Sequence, residues 1–231
     1  LVKEGVIMKM PILNTRGFIF DIDGTLLDSN DAHAECLQIG LIEHGYSFEF
    51  QYIRKLIGMG MDKILPKLIG ISAESESGKA IALTKNECFK IKFLKLKAFP
   101  GVKKLIGTLY ARDFKLTVAS SASASDLQKS LQKLEIEDFF STTVSAEDVS
   151  ESKPDPEPMV IALQKIELKP EDAVMVGDTR YDIEAALRAG VRPIALRTGR
   201  WPDEELQRAK LILNDPAELL QYVIDQKITN G

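Results

Sequence analysis

The sequence predicts an α/β protein: a Rossmann-like parallel sheet with helices on both faces, plus an inserted all-helical cap domain. Three observations carry this. Short apolar runs, several of them β-rich, recur along the chain, and helical patterns separate most of them. The stretch 29–97 breaks that alternation with successive helical patterns and little strand signal. Strands alternating with helices build a parallel sheet covered on both faces.

In chain order, the first strand is 17–20. Helices follow at 30–44, with Ala34, Leu37 and Leu41 on one stripe, and at 53–57, 61–69 and 80–94; 72–77 reads as a small polar loop. Pro100-Gly101 marks a turn. Then come helix 102–110, strand 115–119, helix 124–134, strand 142–145, helix 156–166 and strand 173–176. Helix 181–189 is stopped by Gly190. Strand 191–196 follows, and 211–213 is a weaker sixth strand. The expected division is a core of 1–28 and 98–231 with a cap of 29–97.

Bulk properties narrow the function classes. The 231 residues suffice for one α/β core with a smaller insertion. A net charge of −4 gives no sign of a general nucleic-acid binder, yet a metal and a few lysines can still create a local field for an anion. No run approaches the roughly 18 apolar residues of a membrane span. Cys36 and Cys88 lack C-x-x-C spacing and follow no secretory signal, so free thiols and a cytoplasmic location are expected. The true start is expected upstream of Leu1 or at Met8 or Met10.

Four segments carry the chemistry. In Phe20-Asp21-Ile22-Asp23-Gly24-Thr25, a buried strand runs into two acids one residue apart. Carboxylates this close repel unless a cation sits between them or one keeps a proton, and Mg²⁺ is a hard cation that favours oxygen. At Ala119-Ser120-Ser121, a strand ends in hydroxyls able to donate to a phosphate oxygen. At Ser152-Lys153-Pro154, a lysine stands in a proline-flanked turn and can neutralise a carboxylate or a phosphoryl group. In Val176-Gly177-Asp178-Thr179-Arg180-Tyr181-Asp182, a strand again ends in glycine and acid, with a second acid opening a helix. Taken singly, these read as turn acids, helix caps and a solvated lysine. Four strand ends converge at one edge of a parallel sheet, and together they supply a nucleophile, an acid/base, a phosphate donor, a cationic clamp and metal ligands.

With these motifs in this order, the chain resembles the haloacid dehalogenase superfamily, and the helical insertion resembles the family's C1-type cap. The resemblance implies that Asp21 attacks phosphorus and becomes a transient aspartyl phosphate. It implies that Asp23 protonates the leaving alcohol and then activates water. Ser120, Ser121 and Lys153 would bind the phosphoryl group. Asp21, Asp178 and the main-chain carbonyl of Asp23 would hold Mg²⁺, with Asp182 in support. Because halide departs without protonation, an acid at Asp23 argues against dehalogenation.

A phosphatase acting on a small phosphorylated metabolite is the favoured reading, from a monomer or homodimer that binds no nucleic acid or membrane. The alternatives are a sugar-phosphate mutase of the β-phosphoglucomutase type and a catalytically idle binding module. His33 in the first cap helix suits the mutase. Met61 stands where such mutases carry an arginine, which disfavours a bisphosphate, and none of the core motifs is degenerate. The cap should choose the substrate, with His33, Arg54, Met59 and Lys63 as candidates around Gly58 and Gly60. Arg197, Arg200 and Trp201 are expected near the same sheet edge.

Overall fold

The computed structural model of the chain describes residues 15–225; the reading of the start at Leu1, Met8 or Met10 falls outside them. Six parallel strands, β1 (Gly17–Phe20), β2 (Lys115–Ala119), β3 (Thr142–Val144), β4 (Ala173–Gly177), β5 (Arg192–Leu196) and β6 (Leu211–Leu213), form one sheet in the order β3-β2-β1-β4-β5-β6. β1 is central, with Phe20 beside Val118 of β2 and Val176 of β4.

Side chains alternate across a strand, and the core divides accordingly. Phe18 and Phe20 of β1, with Val174 and Val176 of β4, enter one layer. There they meet apolar stripes of α5 (Val102–Tyr110), α6 (Ala124–Leu134) and α10 (Pro216–Asp225). Ile19, Ala173 and Met175 point the other way, into α7 (Glu157–Ile166) and α8 (Arg180–Arg188). The short α9 (Asp203–Leu206) follows β5.

Between β1 and β2 lie α1 (Asn30–Glu43), α2 (Phe50–Arg54), α3 (Met61–Ile69) and α4 (Glu76–Phe93). The chain enters and leaves this insertion at one place: Asp28 N–H donates to Lys97 O and Phe99 N–H to Leu26 O, each at 3.0 Å. The apolar face of the insertion, including Leu37, Leu41, Ile53 and Leu65, is continuous with Tyr181, Ile183 and Trp201 of the sheet domain.

Four expectations need correction. Helix α2 lies at Phe50–Arg54 rather than 53–57, because the chain turns after Lys55 toward Gly58, whose φ is 110°. Helix α4 begins at Glu76 rather than 80, because the Ser75 hydroxyl caps it by accepting from Gly78 N–H at 3.1 Å. Cys36 and Cys88 are not free thiols; they form a disulfide joining α1 to α4, with Cα atoms 5.4 Å apart. Helix packing brings together two cysteines 52 residues apart, and no local spacing signals that. Strand β3 also stops at Val144, one residue short, because Ser145 enters a capping box with Asp148.

Candidate active site

The sheet's carboxyl edge begins where β1 ends. Asp21 N–H donates to Val176 O at 3.0 Å and so continues the ladder one step, placing a buried carboxylate over the middle of the sheet. Beneath it, the Lys153 ammonium donates to Asp21 Oδ1 at 2.6 Å, to Asp182 Oδ1 at 2.7 Å and to Ala119 O at 3.3 Å. All three of its donors are therefore engaged. Lys153 is 1% exposed.

Asp182 also closes a capping box at the start of α8, where its Oδ2 accepts from Thr179 N–H at 3.0 Å and from Thr179 Oγ1 at 2.6 Å. Both its oxygens thus already accept hydrogen bonds. Asp178 is held by Thr25 Oγ1 and Asn30 Nδ2, each at 2.8 Å. Gly24, at φ 81°, makes this possible, since a Cβ there would lie 1.9 Å from Asn30 Nδ2.

Asp21, Asp178 and Asp182 each present an oxygen within 4.8 Å of the others. Burial, then the charges of Asp182 and Asp23, push Asp21 up to about 7 against the pull of Lys153. Burial and its carboxylate neighbours likewise hold Asp178 well above the carboxylate range. Burial disfavours the Lys153 cation, but Asp182 and Asp21 outweigh it and keep the ammonium above the ordinary lysine range. One ammonium against three buried carboxylates leaves the cluster short of positive charge. A donor set made only of oxygens suits a hard divalent cation such as Mg²⁺.

Asp23 belongs to a separate group. Its Oδ1 accepts from Ser29 Oγ at 2.6 Å and lies 3.0 Å from His33 Nε2. The His33 ring stacks on Phe89 with centroids 3.8 Å apart. Although burial opposes it, His33, Ser29 and the more distant Lys85 charge hold Asp23 down at about 2.

A cavity of about 390 Å³ opens between the sheet edge and the helical insertion. Of the residues singled out in the sequence, Asp21, Asp23, His33, Met59, Met61 and Ser121 line it. Ser120 is buried beside that wall, its Oγ accepting from Ala122 N–H at 3.1 Å. Arg54 and Lys63 are engaged elsewhere. Arg54 Nε binds Asp31 at 2.7 Å and its Nη2 donates to Gly199 O at 3.1 Å, while Lys63 pairs with Glu151. Arg197 pairs with Asp203 and Arg200 with Asp31. Trp201 packs edge-on against Tyr181.

Sequence reasoning missed Thr25, Ser29 and Asn30, whose polar side chains follow the first acid pair closely enough to have been flagged. It also missed Lys85 and Phe89, one turn apart on α4 and both on the cavity wall. Burial holds the Lys85 ammonium below the usual lysine range, against the attraction of Asp23 and Asp126.

Comparison with known proteins agrees with this geometry. A phosphoglycolate phosphatase of Nitrosospira multiformis is 29% identical over 184 residues, which cover 77% of this chain and 81% of that protein. A pyrophosphatase of Oceanobacillus iheyensis is also 29% identical over 184 residues, covering 80% of this chain and 84% of that protein. The crystal structure of a hydrolase from Pseudomonas syringae superposes with a TM-score of 0.86 at 26% identity, over 93% of this chain and 100% of that one. The family model for haloacid dehalogenase-like hydrolases matches residues 18–196, a span running from β1 through β5, and the chain belongs to that family.

Proposed function

We propose that this hydrolase is a Mg²⁺-dependent phosphatase that cleaves a small phosphorylated metabolite through an aspartyl-phosphate intermediate. The observation that carries it is Lys153 Nζ 2.6 Å from Asp21 Oδ1 inside a cluster of three buried carboxylates, with Asp23 held separately by His33 and Ser29. The names of the curated relatives support the reaction class.

Asp21 attacks phosphorus while the ester oxygen departs as an alcohol, taking its proton through Asp23. Asp23 rests as a carboxylate at about 2, so it relays a proton from the adjacent His33 once the charge of the phosphoryl group favours its acid form. Asp23 then accepts a proton from water as that water attacks phosphorus, which frees Asp21 and inorganic phosphate. Splitting the hydrolysis this way replaces one hard step with two easier ones, and a positioned acid/base contributes about 10²- to 10⁴-fold. Lys153 keeps Asp21 oriented and offsets phosphoryl charge, and Ser120 and Ser121 donate to the phosphoryl oxygens. Asp21 and Asp178, with the Asp23 carbonyl, would hold Mg²⁺, which supplies electrostatic stabilisation of the transferring phosphoryl group. Asp182 acts through Lys153 and the α8 cap.

Residues 29–97 serve as a cap over a core of 1–28 and 98–231, and they exclude water during transfer. The cytoplasmic reading rests on the metabolite substrate alone, because the Cys36–Cys88 disulfide removes the free thiols on which it also stood. No helix among the described residues is long and apolar enough to cross a membrane. The mutase reading is weaker, because it must grip a second phosphate and the cavity wall carries no arginine among the described residues.

The test is phosphate release from p-nitrophenyl phosphate, with Mg²⁺ and with EDTA, by wild type and Asp21→Asn. Turnover should need the metal and fall at least about 10⁴-fold in the variant. A folded wild type without turnover would turn attention to the mutase or to an idle binding module.

A further inference from the structure

Among the described residues, the wall of the 390 Å³ cavity carries a single lysine or arginine, Lys85 of α4. The cap cations picked from sequence are tied to partners, Arg54 to Asp31 and Lys63 to Glu151. The wall acids have partners too. Asp62 accepts from Ser152 N–H, Glu74 pairs with Lys79, and Asp126 pairs with Lys129. Lys85 has no hydrogen bond or ion pair among the described residues, although it is half-buried and its charge acts on both Asp23 and Asp126. A sequestered charge without a partner is costly, and a bound anion removes that cost.

Position identifies which part of a substrate that anion belongs to. Transfer takes place over Asp21 and Lys153, and Asp23 faces the departing ester oxygen. Lys85 lies on the cap side of Asp23, beyond the phosphoryl group, so it meets the alcohol portion. A second phosphate is a poor match: it brings nearly two charges to one ammonium, and it is best gripped by guanidinium forks, which the wall lacks among the described residues. A carboxylate brings a single charge to the one lysine or arginine on the described wall.

We infer that Lys85 is the specificity-determining residue of this site and that it selects phosphomonoesters whose alcohol bears a carboxylate, that is, phosphorylated hydroxy acids. This deepens the phosphatase reading and rests on it.

The experiment measures kcat/KM with Mg²⁺ for two matched pairs: 2-phosphoglycolate against 2-hydroxyethyl phosphate, and 3-phosphoglycerate against glycerol 1-phosphate. Wild type, Lys85→Met and Lys85→Arg are compared. Wild type should favour the acid in at least one pair. Lys85→Met should lower that acid-to-neutral ratio about 10- to 100-fold, the worth of a hydrogen bond between charged groups, and Lys85→Arg should keep most of it. Equal loss on acid and neutral esters would overturn the inference, since Lys85 would then act only through Asp23. A wild type indifferent to the carboxylate would overturn it as well. Turnover of p-nitrophenyl phosphate by wild type separates these outcomes from failure of the phosphatase reading itself, which would abolish every rate.

Discussion

Two lysines flank the candidate site in opposite conditions: Lys85 lines the cavity and Lys153 lies buried beneath Asp21. Lys153, on the sheet side, is fully buried and holds Asp21 at 2.6 Å and Asp182 at 2.7 Å. Lys85, on the helical side, is half-buried and has no such partner among the described residues. A charge already fixed among carboxylates costs no reorganisation when a phosphoryl group arrives, so it serves the step common to all phosphate esters. A charge awaiting its counter-ion rewards only those ligands that bring one. On the proposed function, the sheet edge would carry the reaction and the helical wall the choice of substrate.

The largest effect should follow from disturbing the sheet side. Lys153→Met leaves Asp21, Asp178 and Asp182 together without their ammonium. Turnover should fall by at least about 10²- to 10³-fold, and stability in EDTA by about 3–5 kcal/mol, with part of it restored by Mg²⁺. Denaturant midpoints with and without metal measure this, and an unchanged midpoint in EDTA would contradict the charge balance described here.

A smaller effect should come from the cap's own staple. The Cys36–Cys88 bond closes a separation of 52 residues, worth at most about 4 kcal/mol in the chain-entropy model. Reduction, or Cys36→Ser, should raise amide exchange in α1 and α4 while β1 and β4 keep their protection. Equal loosening of sheet and cap would mean that the two regions do not differ as proposed.

The smallest effect should be at Lys63. Its bridge to Glu151 is partly exposed, so Lys63→Ala should cost about 0.2–1 kcal/mol in a thermal or denaturant melt. It should leave the acid-to-neutral ratio of kcat/KM where it was. A change in that ratio would restore the cap loop as a reader of the leaving group.

The two regions also differed in how far they could be read from sequence. Asp21, Ser120, Lys153 and Asp178 stand at or just beyond strand ends, or in a turn beside them, where apolar runs stop abruptly. The rule that parallel strands end together then groups them without coordinates. The cap has no such rule. Lys85 sits mid-helix with no local marker, and its meaning comes from the absence of a partner, which is a three-dimensional property. The same holds for Cys36 and Cys88, joined only by the packing of α1 on α4. Arg54 and Lys63 looked available because their partners, Asp31 and Glu151, are distant in sequence. Even on the sheet side, motif spacing left open whether Asp182 orients other groups, and only the geometry reveals that it anchors Lys153 and caps α8.

The ion pair between Asp21 and Lys153 spans 132 residues of chain. During synthesis Asp21 is made first, and at about 5–20 residues per second its ammonium partner follows roughly 7–26 s later. Throughout that interval β1 has neither β4 on one side nor the lysine beneath it, and Phe18, Ile19 and Phe20 have only part of their eventual cover. A growing chain can therefore carry a finished cap, with α1 and α4 already joined, well before it carries a working centre. On the proposed function, an incomplete polypeptide would thus lack the ammonium that orients its nucleophile, and its central strand would be the segment left longest without cover.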